Sequence, residues 1–256
     1  MKAKEIAELL EKQSPVSYAL NWDNVGMHIG RDNNIVKKIL VTLDIDDKAV
    51  EYAVSCDVDM IVAHHPLIFK GVKKINENDI LGRRILTLVE NRVNCYCMHT
   101  NYDCMGMADA AADRLGLSDT EVLSEVIDGE GIGRVGTLDR SYNVRELCEH
   151  VKECFGLDRV ILYGNEDDNV SRIAICPGSG KDEIQNAVMK GAEVLITGDM
   201  SYHYGIDAVA EGINIIDAGH YGTEHIFIEE ISNYLKNNTD GIEILCMDII
   251  NPQKFI

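Results

Sequence analysis

Met60-Ile61-Val62-Ala63-His64-His65-Pro66-Leu67-Ile68-Phe69 is the stretch on which the fold turns. An apolar run of strand length ends in two adjacent histidines, and Pro66 then stops the ladder because it has no N–H to donate. The pattern predicts a buried strand with a metal site at its carboxyl end. Successive strand residues point to opposite faces, so an adjacent His pair suits two metal ions better than one. A lone His at a strand end is more often a hydrogen-bonded structural residue. Two in a row before a proline favour ligands, provided that carboxylates elsewhere complete the set.

Outward from this stretch the pattern alternates. Lys38–Leu43 reads as a strand, Asp47–Ser55 as a helix, Ile80–Asn91 as a helix, Val93–His99 as a third strand and Ala108–Leu115 as a helix stopped by Gly116. Ala3–Lys12 suits a short amphipathic helix before Ser14-Pro15. Alternation of this kind implies parallel strands joined by right-handed crossovers, with ligands at the carboxyl ends of the strands. Both His64-His65 and the segment His99-Thr100-Asn101-Tyr102-Asp103 fall at such ends.

Glu125–Gly133 is rich in glycine and acid and reads as a boundary between lobes spanning 1–125 and 126–256, with the C-terminal segment packing back on the first. The second half repeats the alternation: strands at Arg134–Leu138, Arg159–Tyr163, Arg172–Cys176, Val194–Thr197, Asn214–Asp217 and Glu243–Asp248, with helices at Val144–Phe155, up to Lys190, and His220–Asn233. A unit of strand, turn, helix and strand occupies 40–65 and recurs at 173–199. The expected fold is therefore α/β: two similar lobes with mostly parallel sheets, packed about a pseudo-two-fold axis, and a metal site in the cleft between them.

Each half also ends in a His followed four residues later by a carboxylate, His99 with Asp103 and His220 with Glu224. On a helical turn that spacing brings the side chains to about 5–6 Å at Cβ. The proposed metal ligands are His64, His65, Asp103, His220 and Glu224. This mixture of imidazole and carboxylate suits two divalent transition metal ions, whether zinc, iron, manganese, cobalt or nickel, and fits an all-oxygen calcium site poorly. His99 admits three roles: a ligand, a partner holding Asp103, or an acid/base group. The last two rank above the first.

Other residues read more plainly. Trp22 is expected as a core plug and His28 as a solvent-facing strand residue. Asp44 and Asp46 precede a helix and read as N-caps. Tyr202-His203-Tyr204 is equally a substrate-contacting loop or a polar turn. Gly178-Ser179-Gly180-Lys181 lacks the flanking residues of a P-loop, since position 175 is Ile and 182 is Asp, and remains a weak candidate for phosphate contact. His150 and His225 lie on helices as surface or packing residues.

Composition narrows the class. At 256 residues, with 46% hydrophobic and 26% charged, this is an ordinary globular chain. A net charge of −19 argues against a phosphate-tracking nucleic-acid binder, although metal ions can still supply positive charge for an anionic substrate. No apolar run reaches membrane-spanning length, and acidic residues stand where a signal peptide would be apolar, so the expected address is cytoplasmic. The eight cysteines (56, 95, 97, 104, 148, 154, 176 and 246) include no Cys-x-x-Cys pair and read as buried reduced thiols.

Taken together, Trp22-Asp23-Asn24-Val25-Gly26, Ala63-His64-His65-Pro66-Leu67, His99-Thr100-Asn101-Tyr102-Asp103, Thr197-Gly198-Asp199 and Gly219-His220-Tyr221-Gly222-Thr223-Glu224 resemble the Nif-three-like dinuclear-metal family, whose members carry the name GTP cyclohydrolase I type two homologue. The resemblance covers essentially the whole chain, in its short form without an inserted domain. By similarity His64, His65, Asp103, His220 and Glu224 match the family's metal ligands. The resemblance also implies a homohexameric ring.

The expected function is a dinuclear metal-dependent hydrolase of cyclohydrolase or phosphoesterase type, whose metal-bridged hydroxide acts on a nucleotide or related small molecule. The rival is a metal carrier, a ring-shaped scaffold or a regulatory interaction protein without catalysis.

Overall fold

Apolar runs that stay hydrophobic on both faces, such as Lys38–Thr42 and Met60–Ala63, become central strands of a parallel sheet. The computed structural model describes residues 1–247. In chain order its strands are β1 (Gly26–Ile29), β2 (Lys38–Thr42), β3 (Met60–Ala63), β4 (Asn94–Cys97), β5 (Ser118–Ile127), β6 (Glu130–Asn143), β7 (Ile161–Tyr163), β8 (Asn169–Ser179), β9 (Val194–Gly198), β10 (Asn214–Asp217) and β11 (Glu243–Met247). Asp248, expected to end the last strand, lies outside the described residues. The protein is α/β, with two sheets whose central strands run parallel.

The chain divides into two units, Met1–Tyr102 together with the segment that begins at Phe227, and Asp103–Ile226. In the first, the sheet order is β1-β4-β3-β2-β11, parallel except for β1 against β4. Two of its helices, Asp47–Ser55 and Ile80–Glu90, start where an aspartate caps them. Asp46 accepts from the Ala49 N–H at 2.7 Å, and Asp79 accepts from the Gly82 N–H at 2.7 Å. Each such cap contributes about 1 kcal/mol. Leu40, Ile61, Val58, Ile85, Leu88, Cys95 and Cys97 pack into one apolar cluster. The helix Ile226–Asn238 is tied to the first helix of this unit, Ala3–Gln13, by the Tyr234 hydroxyl, which donates to the Leu9 carbonyl at 3.0 Å.

The second unit has the order β5-β6-β8-β9-β10-β7, with a parallel centre at β8, β9 and β10 and antiparallel pairs outside it. Strand pairing repeats between the units: Ile39 lies opposite Met60 and Ile173 opposite Val194, the same sequence offset in both. Arg134, buried on β6, holds Asp109 of the helix Ala108–Leu115 and the carbonyls of Gly131 and Gly133.

The 125–133 stretch, read as a boundary, lies inside the second unit. It is a hairpin joining β5 to β6, in which Asp128 and Gly129 both take positive φ, at 53° and 81°. Asp-Gly supplies the backbone freedom that a tight two-residue turn needs. Its acids and glycines serve that turn and are not a linker. Tyr202-His203-Tyr204 also differs from both sequence readings, since it opens the helix Tyr202–Ala210. The eight thiols are unpaired, five of them buried.

Candidate metal centre

β3 and β4 are parallel neighbours, with Ala63 opposite Cys97, so the residues that follow them emerge side by side. His64 and His65 follow β3, and His99 follows β4 after Met98. Ring centroids lie 4.9 Å apart for His64 and His65, 5.2 Å for His64 and His99, and 5.7 Å for His65 and His99. One ligand atom from each of the three lies within 4.8 Å of the others, a grouping that could hold a metal ion.

The orientation of each ring is set from behind. His64 Nδ1 donates to the Met98 carbonyl at 2.7 Å. His65 Nδ1 lies 2.8 Å from Asp44 Oδ1, and His99 Nδ1 lies 2.9 Å from both oxygens of Asp23. With the proton on Nδ1, the lone pair of a neutral ring falls on Nε2. His64 is further fixed by the Phe227 ring at 5.2 Å, which itself meets Tyr102 edge-on at 5.2 Å. Such aromatic pairs contribute about 0.5–1.5 kcal/mol each beyond their burial.

Asp44 is therefore no helix cap. Asp46 alone performs that task, because only its side chain reaches the Ala49 N–H, while Asp44 stands at the end of the strand and turns to His65. Asp23 is a residue that sequence reasoning left without a role. It receives His99, the Thr100 N–H at 3.0 Å and the Thr100 hydroxyl at 2.6 Å. Burial works to raise its pKa, but the bonds from His99 and Thr100 outweigh it and bring the carboxyl down to about 2.

The second unit builds its donors around the helix His220–Glu224. Glu224 is buried, 4% exposed, and its Oε2 lies 3.0 Å from His220 Nε2. Behind His220, Nδ1 meets Asp199 Oδ2 at 2.8 Å. A neutral imidazole can donate from only one nitrogen, so carboxylates at both require a second proton or a cation shared by Nε2 and Glu224. The 3.0 Å separation suits two donors on one ion at about 2.1 Å each. Asp103, which opens a π-helical turn over Asp103–Met107, has a carboxylate oxygen within 4.8 Å of Glu224's. Turns of that kind recur at functional sites. The donor set thus fits a transition metal.

Glycines make the room. A Cβ on Gly178 would lie 2.2 Å from Glu224 Oε1, and one on Gly198 would lie 2.3 Å from the His220 backbone nitrogen. Asp199 takes a positive φ of 55°, a conformation Asp tolerates, and this turns its carboxylate to His220. Asp217, at the end of β10, accepts from the Met200 and Gly219 N–H groups, each at 2.9 Å, and so shapes the approach to His220. Burial pushes its pKa above the ordinary carboxylate value.

Three expectations change here. The N–H groups of Gly178 and Gly180 donate to the hydroxyls of Thr223 and Thr197, so these two donors of the Gly178–Lys181 turn are spent on the protein and not on a phosphate. Trp22 is 58% exposed and is not a core plug. His28 does not simply face solvent: its Nε2 donates to the Asn24 carbonyl at 2.9 Å, and its Nδ1 accepts the Ile68 N–H at 3.2 Å. Of the remaining histidines, His150 contacts the Leu115 carbonyl and His225 the Tyr221 carbonyl.

Fold and donors together define an α/β protein with imidazoles grouped at strand ends, each backed by an oxygen acceptor. A family model described as Duf34/NIF3 (NGG1p interacting factor 3) matches residues 1–252. A Clostridium acetobutylicum protein named GTP cyclohydrolase 1 type 2 homolog is 34% identical over 265 aligned positions, covering 100% of this chain and 99% of the relative. A Lactococcus lactis protein of the same name is 38% identical over 95% of each chain. The crystal structure of a Bacillus cereus protein related to NIF3 superposes with a TM-score of 0.93 at 23% identity, covering 100% of this chain and 99% of that one, which shows the shared fold. The chain belongs to the Duf34/NIF3 family.

Proposed function

We propose that the chain is a metal-dependent hydrolase of a nucleotide or related small molecule, with His64, His65, Asp103, His220 and Glu224 holding two divalent transition metal ions. The observation that carries the reading is the backing of the four imidazoles. His65, His99 and His220 each present Nδ1 to a carboxylate, and His64 presents it to a carbonyl. Metal-binding histidines characteristically have such a partner, which fixes the tautomer and raises the basicity of the other nitrogen. The name shared by the relatives agrees with a hydrolytic role.

When bound, the ions would supply Lewis acidity and lower the pKa of water. The protein's part is placement and proton handling. His99, with Nδ1 held by an Asp23 that stays ionised down to about pH 2, offers Nε2 as the group that takes up or returns a proton. Asp44 and Asp199 hold His65 and His220 against rotation. Among the described residues no helix is long and apolar enough to cross a membrane. The reading also takes the protein to be cytoplasmic and homohexameric; sedimentation of the purified chain tests the hexamer, and fractionation of cells tests the location.

The first experiment is elemental analysis of the native protein and of the His65→Ala and Glu224→Ala variants. About two transition-metal ions per chain, falling sharply in both variants, is the expected result. No bound metal, even after reloading, would overturn the reading.

A further inference from the structure

Two large aromatic side chains stand in solvent beside His99. Trp22 is 58% exposed and Phe69 is 48% exposed. Their ring centroids lie 5.7 Å apart, tilted by 49°. Both meet the His99 ring edge-on, Trp22 at 6.0 Å and 73°, Phe69 at 6.2 Å and 71°. The three rings form one continuous surface that begins at the clustered imidazoles and opens outward.

This surface is held rigidly by the residues that flank its rings. Asp23, next to Trp22, binds His99 and Thr100. Asn24 donates from its side-chain amide to the Ile68 carbonyl, one residue before Phe69. His28 closes the bracket by donating to Asn24 and accepting from Ile68. Rings fixed in this way bind a ligand with little further ordering cost. At 5.7 Å the two rings already touch, so a third cannot slide between them, and only their outward faces remain for stacking.

We propose that Trp22 and Phe69 form a stacking platform for the planar heteroaromatic ring of the substrate, setting its polar edge toward His99. The proposal rests on the small-molecule hydrolase reading and makes these two residues determinants of its specificity. Stacking tolerates any planar heterocycle and excludes substrates without one.

Trp22 is the sole tryptophan, so its emission reports the platform directly. GMP, AMP, CMP and nicotinamide mononucleotide are each titrated into the full chain, with ribose 5-phosphate as the ringless control. The expected result is saturable quenching by at least one of the four and none by ribose 5-phosphate. Phe69→Ala, still carrying Trp22, should weaken that ligand five- to hundredfold. By equilibrium dialysis Trp22→Phe should bind nearly as the wild type does, and Trp22→Ala about tenfold more weakly.

Quenching by none of the four, equal binding of ribose 5-phosphate, or an unchanged Kd in Phe69→Ala would overturn the platform. So would ligand-free emission that shifts with protein concentration, which would mean that the rings cover a second copy of the chain. Quenching without metal-dependent turnover would leave the platform standing and remove the hydrolase. Turnover with an unaltered KM in Phe69→Ala would do the reverse.

Discussion

Gly178 and Glu224 are in contact in a way that only glycine permits. A Cβ at 178 would lie 2.2 Å from the Glu224 carboxylate, and the backbone there has a φ of 73°. The close approach seats a buried carboxylate against main chain, held in place by the Thr223 hydroxyl, which accepts the Gly178 N–H at 2.9 Å.

Gly178→Ala should therefore act on the proposed metal site before it acts on the fold. The left-handed backbone and the clash together should cost about 1–3 kcal/mol of stability. Metal bound per chain should fall further than the melting temperature does. Elemental analysis beside a thermal melt separates the two, and a variant that melts early yet keeps its full metal content would contradict this account of Gly178.

Asp44→Ala and Asp199→Ala remove the carboxylates behind His65 and His220. Both acids are partly exposed, so their loss leaves no cavity. Metal affinity should drop about 10–100-fold in each, read by competition with a chromophoric chelator. The metal-free melting temperature should hardly move. Wild-type affinity in both variants would show that the two acids only decorate the surface.

Acid sensitivity should carry the signature of Asp23. Its carboxyl falls from an ordinary 3.8 to about 2 in the folded chain. A depressed folded pKa stabilises above the unfolded value, and that stability is lost as pH drops from about 4 toward 2. The contribution is on the order of 2 kcal/mol. Urea unfolding of metal-free protein at a series of pH values should show wild type and Asp23→Asn converging over this window, whereas a constant gap would rule out the ionised carboxylate as the cause.

His28→Ala should loosen two loops at once. It removes the bonds to the Asn24 carbonyl and the Ile68 N–H, at about 1 kcal/mol each. A lower urea midpoint and greater acrylamide quenching of Trp22 should appear together. Unchanged quenching would mean that Asn24 alone holds the two segments.

Much of the site was legible because its donors sit where strands stop. The run Met60–Ala63 followed by His64-His65-Pro66 needs only the two-residue period of a strand and the missing proline N–H to be read. The partners behind those donors were not legible. Asp23 meets His99 across 76 positions and Asp44 meets His65 across 21, and no local period links such pairs. Asp44 was further masked by Asp46, since either acid could cap the helix by its place in the chain. Trp22 misled because large aromatics usually gain by burial, and an exposed one reveals itself only in three dimensions. The Asp128-Gly129 turn carried a hairpin signal that acidity and glycine content disguised as a linker.

The threading of the first sheet bears on how the protein is made. β11 is laid against β2, Ile244 beside Ile39, although the whole of Asp103–Ile226 is synthesised between them. On the ribosome the second unit is a continuous segment and can complete itself, while β2 waits with an unpaired edge. The nascent first unit is thus a four-stranded intermediate, and a chain truncated before residue 243 would keep the β2 edge of its first sheet open to any passing strand.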